Sequence, residues 1–219
     1  MKKYAIGAAL LLLFLSSSSY AQLTGAGIQP KLHFSIHVLE DPDLEPKFAR
    51  SSTEILHSYG VDAYADYGIG RLIKLRAKIG YESKGAAGWF DHYNHVHYSK
   101  SQFNYVSTDL QARVLLRPDK LFRPSISFGT TVGYLVGRDV QETTSFHTTT
   151  FYNDYSPWNF GLTGAIGFEY DNVFFCEVEV NRDILRPVRS TELNIYNSVV
   201  GFNVGVNVLE IVRRTKAKS

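Results

Sequence analysis

The chain contains one cysteine, Cys176, and one methionine, Met1, among 219 residues. A single thiol forms no internal disulfide and no thiolate metal cluster. An exported chain of this kind needs another source of stability, and closing a sheet into a barrel is one. A strong charge of either sign is also missing, since Lys and Arg total 23 against 21 Asp and Glu. Near-neutrality removes the electrostatic footprint of nucleic-acid binding, so no nucleic acid is expected as a partner. Beyond the N-terminus no apolar run reaches the ~20 residues of a spanning helix, and none repeats with helical period. The length fits one domain.

What is abundant is aromatic, with 14 Tyr, 14 Phe and 2 Trp. Together with frequent Val and Thr this is a strand composition. The N-terminus differs from the rest. Lys2-Lys3 precedes the apolar run Ala5 to Leu15, then Ser16 to Ser19 and the small-x-small pattern Ser19-Tyr20-Ala21. That is the layout of a secretory signal, cleaved between Ala21 and Gln22. Its apolar core is too short for a membrane anchor, and no cysteine follows it to carry a lipid. Cleavage removes Lys2 and Lys3 and leaves the mature charge balanced. The expected organisation is a signal peptide over 1–21, a barrel over 22–211 and a basic periplasmic tail over 212–219.

A period of two recurs in eight segments, near 28–38, 59–69, 73–82, 106–116, 125–136, 158–170, 174–181 and 196–208. Such alternation predicts strands with one apolar and one polar face. The clearest segment sets Ile73, Leu75, Ala77, Ile79 and Tyr81 against Lys74, Arg76, Lys78, Gly80 and Glu82. Leu115, Leu135, Phe175 and Val199 are apolar exceptions on the polar face. Connections alternate in length: 70–72, 117–123 and 171–172 are short, whereas 39–52, 83–102, 138–156 and 182–193 are long and polar. Short turns at one end and long loops at the other predict an all-β fold. It is an eight-stranded, antiparallel, up-and-down transmembrane β-barrel with short periplasmic turns and long extracellular loops.

A soluble lipocalin-like binding barrel in the periplasm also alternates, but turns its apolar face inward. Here the polar face is rich in glycine, as a crowded interior requires. Aromatics of the apolar face gather at strand ends. Tyr59, Tyr81, Tyr134, Trp158 and Tyr196 fall near the long loops, and Tyr67, Tyr170 and Phe174 near the short turns. These are the two interfacial girdles of a barrel in lipid. A cation on the lipid face costs ~2–4 kcal/mol at mid-membrane. The register therefore turns Lys31, Lys74, Arg76, Lys78 and Arg113 inward, towards Asp62, Asp66, Glu82, Asp109, Glu169, Glu177 and Glu179. Eight strands leave an interior only wide enough for side chains, so a polar plug is expected and an open channel is not.

Three stretches carry a resemblance: Ile79-Gly80-Tyr81-Glu82-Ser83-Lys84-Gly85, Tyr105-Val106-Ser107-Thr108-Asp109-Leu110 and Arg123-Pro124-Ser125-Ile126-Ser127-Phe128-Gly129. They are similar to recurring stretches of the outer-membrane β-barrel (PorT-like) proteins of Bacteroidota. Asp109 stands where many members have Pro, and the basic end Arg213-Arg214-Thr215-Lys216-Ala217-Lys218-Ser219 replaces a terminal aromatic. The resemblance implies a membrane barrel, with secretion accessory work as an associated role.

Candidate chemistry is sparse, and no cofactor is expected. His92, His95 and His97 beside Asp91 are weak candidate metal ligands, a start for Zn²⁺ or Cu²⁺ without a defined third ligand. The bland reading is a solvated loop. His97-Tyr98-Ser99 resembles the His-x-Ser of outer-membrane lipid A deacylases, where His activates Ser. Glu82 or Asp91 would be the orienting acid, and the flanking residues of that family are missing. His33 and His37 lie about 13 Å apart along one strand, too far to share a metal. The expected partners are outer-membrane lipid and lipopolysaccharide, with a protein or glycan at loops 83–102 and 138–156. The primary expectation is a non-enzymatic surface barrel, accessory to secretion or structural. A lipid A-modifying enzyme is the alternative.

Overall fold

The computed structural model describes residues 22–40, 52–92, 95–144, 156–185, 188–189 and 194–218. The expected signal peptide lies outside the described residues. The elements are β1 (Gln22–Glu40), β2 (Ser52–Glu54), β3 (Leu56–Ile69), β4 (Ile73–His92), β5 (His95–Leu115), β6 (Phe122–Thr144), β7 (Trp158–Tyr170), β8 (Phe174–Asp183), β9 (Val188–Arg189), β10 (Asn194–Asn207) and the helix α1 (Val208–Lys218). Eight strands pair antiparallel in the order β1-β3-β4-β5-β6-β7-β8-β10, and β10 closes on β1. The short β2 and β9 add to β4 and β10.

Cross-strand partners followed once around the barrel run Tyr170, Phe174, Val206, Ile28, Ala63, Ile79, Thr108, Val132 and Phe160. The path returns to β7 ten residues from its start (170 − 160). Ten residues of stagger over eight strands tilt them by about 40° and give a radius of roughly 8 Å. The bore is therefore narrow and lined by side chains at close quarters. The side-chain alternation decides which ones. Ile166 is 65 % and Leu110 59 % exposed on the outside, whereas Arg113 is 0 % and Arg76 1 % exposed inside. The molecule is apolar outside and ionic within, opposite to a soluble ligand-carrying barrel.

Three of the four apolar exceptions also have interior places, while Leu135 is only half-buried. Phe175 packs on Gly205, where a Cβ would collide with its ring. Its face lies 4.0 Å from the Arg76 guanidinium carbon and 5.0 Å from that of Arg113. Tyr64 meets it edge-on at 5.2 Å. An aromatic on the polar side thus serves as a cation–π partner for two buried guanidinium groups. Leu115 and Val199 are buried as well. At the β7–β8 turn Asp171 and Asn172 both have positive φ, and Val173 N donates to Tyr170 O at 3.0 Å. This is the type I′ geometry that suits the twist of a hairpin.

The loop expected over 83–102 is not a loop. β4 runs to His92, β5 starts at His95, and the two stay paired as far as His92 with His95. β6 likewise continues through Thr144 within the expected loop 138–156. The alternation fades in this part because Glu82 to Ala87 are buried on every residue rather than every other one. Gly85 N donates to Ser35 Oγ (3.1 Å), and Ser35 Oγ donates to Gly85 O (2.6 Å). β4 therefore leans over the barrel mouth onto β1. Only a glycine permits this, since a Cβ at Gly85 would run into the Ser101 carbonyl.

The chain end also departs from expectation. The last barrel strand, β10, stops at Asn207, and Val208 opens a helix rather than extending the strand towards residue 211. Asn207 Oδ1 accepts the Glu210 N–H at 3.1 Å, an N-cap that satisfies one free helix donor. Val208 fits both the period of two shared with Val204 and Val206 and the 3.6 period shared with Ile211 and Val212. That double fit hides the helix boundary.

Candidate functional site

The interior holds seven cations and eight carboxylates among the described residues, all buried. They form three levels. Nearest the short turns, Lys74 Nζ donates to both Glu169 oxygens (3.0 and 2.8 Å), and Arg113 and Arg123 approach the same carboxylate at 3.4 and 3.2 Å. Arg76 grips Asp66 through Nε (2.7 Å) and an Nη (2.8 Å), the fork geometry in which guanidinium and carboxylate bind most strongly. Glu177 lies 3.7 Å from Arg76 and 3.3 Å from Arg113, and accepts from Gln29 at 2.7 Å.

In the middle, Lys31 pairs with Asp62 at 2.6 Å, and Lys78 with Glu179 (2.7 Å) and Asp109 (3.0 Å). Lys31 also comes within 3.9 Å of Glu82, which links this level to the upper one. There Lys84 meets Glu82 (2.9 Å) and Asp183 (3.6 Å), and Asn159 and Asn197 donate to Asp183 at 2.7 and 2.8 Å. The Lys84 ammonium stands 5.8 Å from the Tyr105 ring centre. The residues expected to face the axis are thus brought together. Lys84, Arg123, Asp183, Phe103 and Tyr105 join them. Phe103 and Lys84 belong to the segment read as loop, so no alternation marked them as interior. Arg123 and Asp183 sit at strand ends within stretches read as connections.

Such a cluster neutralises charge rather than exposing it. Each carboxylate named above has a cation or an amide donor within hydrogen-bonding distance, which leaves little free base for proton abstraction. Among the described residues no three His, Cys, Asp or Glu side chains converge on a metal position. His92 and His95 are cross-strand partners at the end of the β4–β5 hairpin, and His97 pairs with Phe90. Their side chains lie outside the described residues. The expected acid Glu82 pairs with Tyr105, eight residues from His97 along β5. That is about 26 Å of strand, beyond any hydrogen bond. Asp91 pairs with Val96. His33 is buried in the upper barrel and packs on Gly201, while the His37 side chain lies outside the described residues.

Of the expected girdle residues, Tyr59, Tyr67, Tyr81, Tyr134, Trp158, Tyr170 and Phe174 point outward and are exposed. Tyr134 and Trp158 meet edge-to-face at 5.0 Å. The Tyr196 side chain is outside the described residues.

At the short-turn end α1 closes one side of a cavity of about 490 Å³, lined in part by Arg71, Lys74, Arg123, Glu210 and Arg213. Arg213 donates to Leu23 O at 3.0 Å. Arg214 clasps the β7–β8 turn, donating to Asp171 Oδ1 (3.0 Å) and its backbone O (2.7 Å). Those bonds hold the Asp171 carboxyl below its ordinary range and push the Arg214 guanidinium up.

Residues 20–185 match the outer membrane protein beta-barrel domain family. The chain belongs to that family. A membrane barrel of this kind sits in the cell outer membrane, among lipid and lipopolysaccharide, and its exposed apolar belt fits that solvent. A comparison with curated proteins finds no match. Among solved structures, OprG from Pseudomonas aeruginosa is similar at 10% identity and TM-score 0.47, over 85% of this chain and 98% of that one. Neisserial surface protein A has 12% identity and TM-score 0.44 over the same shares. Ail of Yersinia pestis, solved with the heparin analogue sucrose octasulfate, has 10% identity and TM-score 0.40, over 83% of this chain and 96% of that one.

Proposed function

We propose that this outer-membrane barrel is a non-enzymatic surface protein whose ion-paired interior conducts no solute and whose protruding β4–β5–β6 sheet contacts a partner outside the cell. The observation that carries the reading is the mismatch between strand length and membrane thickness. A tilted strand crosses the bilayer in about 9–11 residues, whereas β4, β5 and β6 have 20, 21 and 23. Beyond the level of Tyr81 and Tyr134 roughly ten residues of β5 continue, paired with β4 over the barrel mouth and past it, on the order of 33 Å of strand. An organised sheet of that size presents a large fixed surface at little ordering cost on binding. The finer assignment, a PorT-like protein of Bacteroidota accessory to secretion, rests on the sequence resemblance alone.

The reading is tested by placing a photo-crosslinking residue at Lys100 or Gln102 on the protruding part and, as a control, at Ile79 on the belt. In intact cells the first two sites should give a discrete adduct and Ile79 only lipid. The purified barrel in a planar bilayer should show no stepwise conductance. Stepwise opening in the native protein, or adducts no different from the Ile79 control, would remove the proposal.

A further inference from the structure

We infer that α1 is a lipid-seated helix, lying with Val208, Ile211 and Val212 in the headgroup layer of the leaflet at the short-turn end and with its lysines towards anionic headgroups. The inference rests on the outer-membrane placement above and adds a second membrane contact beside the strands.

The helix is amphipathic in an unusual sense, because one apolar side of it stands exposed. Val208, Ile211 and Val212, with Thr215, fall at i, i+3, i+4 and i+7, an arc of about 100°. The three apolar residues are 45 %, 40 % and 44 % exposed. The opposite side makes the protein contacts. Glu210 and Arg213 line the cavity at the short-turn end, Arg213 reaches Leu23 and Arg214 reaches Asp171. Polar side chains thus bind the helix to the barrel, Leu209 is half-buried beside them, and Val208, Ile211 and Val212 are left exposed. In water that arrangement is backwards.

Continuity with the barrel says what covers the aliphatic side. Val200, Phe202 and Val204 of β10 are outward and exposed, and Val208, the first residue past the strand, is exposed as well. Val208, Ile211 and Val212 therefore prolong the lipid-facing column past the end of the strand. The girdle residues Tyr67, Tyr170 and Phe174, also exposed, stand at this same end of the barrel. The interfacial layer is about 5–7 Å thick on each side of the hydrocarbon. Ile211 and Val212 rise only about 5–6 Å along the helix axis from Val208, so they stay inside it. No large apolar residue follows Val212, and Lys216 and Lys218 flank the apolar arc, one on each side. Lysines at the border of an apolar stripe snorkel to phosphate, the pattern of a helix lying at a membrane surface. A bilayer containing anionic phospholipid matches both halves of the helix.

The test uses the full-length mature protein with Cys176→Ser, carrying a spin label at Ile211→Cys, Ala217→Cys or Phe202→Cys, in phosphatidylethanolamine–phosphatidylglycerol nanodiscs. Collision rates with oxygen and with a water-soluble nickel complex report depth. The inference expects Ile211 to resemble Phe202, with oxygen favoured, and to meet the nickel complex several-fold less often than Ala217. If Phe202 is lipid-exposed while Ile211 is as open to nickel as Ala217, the seat on lipid is overturned and the barrel assignment stands. If Phe202 is also aqueous, both fall together. Heat-dependent gel mobility of each labelled protein confirms that it is folded.

Discussion

Replacing Arg76 by Met removes the charge at the centre of the lower ionic level while keeping an aliphatic stem. Arg76 is fully buried and forks onto Asp66, with Glu177 3.7 Å away and the Tyr64 and Phe175 rings 4.5 and 4.0 Å from its guanidinium carbon. The substitution leaves Asp66 with no strong partner and Glu177 dependent on Arg113 and Gln29. Removing one member of a buried pair costs about 3–5 kcal/mol, chiefly from the uncompensated charge left behind. That corresponds to roughly two to four powers of ten in the folding equilibrium. Urea titration of the barrel refolded into lipid vesicles, followed by Trp emission, reads the change. The double variant Arg76→Met with Asp66→Asn should recover at least about 1 kcal/mol relative to additivity, since the two residues act as one unit. If Arg76→Met unfolds within about 0.5 kcal/mol of the native protein, as an uninvolved surface site would, the ionic interior holds nothing together.

Gly205→Ala places a methyl group in the Phe175 ring, so the same titration should show a loss of about 1–3 kcal/mol from overpacking. Asp171→Asn removes the ionic clasp on Arg214, and trypsin at neutral pH should then cut after Arg213 and Arg214 faster than in the native protein. The native clasp has a defined acid limit. The Asp171 carboxyl titrates below its ordinary 3.8 when docked, so the clasp is complete above that value and is lost as the pH falls through the lowered one. The protection factors of α1 amides, taken against the intrinsic rate at each pH, should fall only in that acid range. Ser35→Ala removes both hydrogen bonds that hold β4 over the mouth, and exchange at Gly85 should accelerate while amides near Ile79 stay protected.

Alternation made the strands and their faces legible. A wrong parity for β4 alone would have put Lys74, Arg76 and Lys78 into lipid, so energy selects the same register that the pattern does. Where one face is not in contact with lipid the pattern carries less information. Glu82 to Ala87 are buried throughout because β4 folds over the mouth, and Lys84, a buried ion-pair member, therefore read as a loop residue. Asp183 is hidden in the sequence for a related reason: it ends β8 in a stretch whose apolar partners stop at Val180. Phe175 was visible as an exception, but its reason required two guanidinium groups from β4 and β5, which no single strand reveals. The helix was lost to Val208, which serves two periods at once.

The central claim is that successive residues of a strand alternate between acyl chains and an ionic axis. Single-cysteine variants, in the Cys176→Ser background, at each position from Val106 to Arg113, labelled with an environment-sensitive fluorophore and reconstituted with brominated lipids, test it most directly. Bromine should quench strongly at Val106, Thr108, Leu110 and Ala112 and weakly at Ser107, Asp109, Gln111 and Arg113. Quenching that is uniform, or strongest at Asp109 and Arg113, would contradict the account.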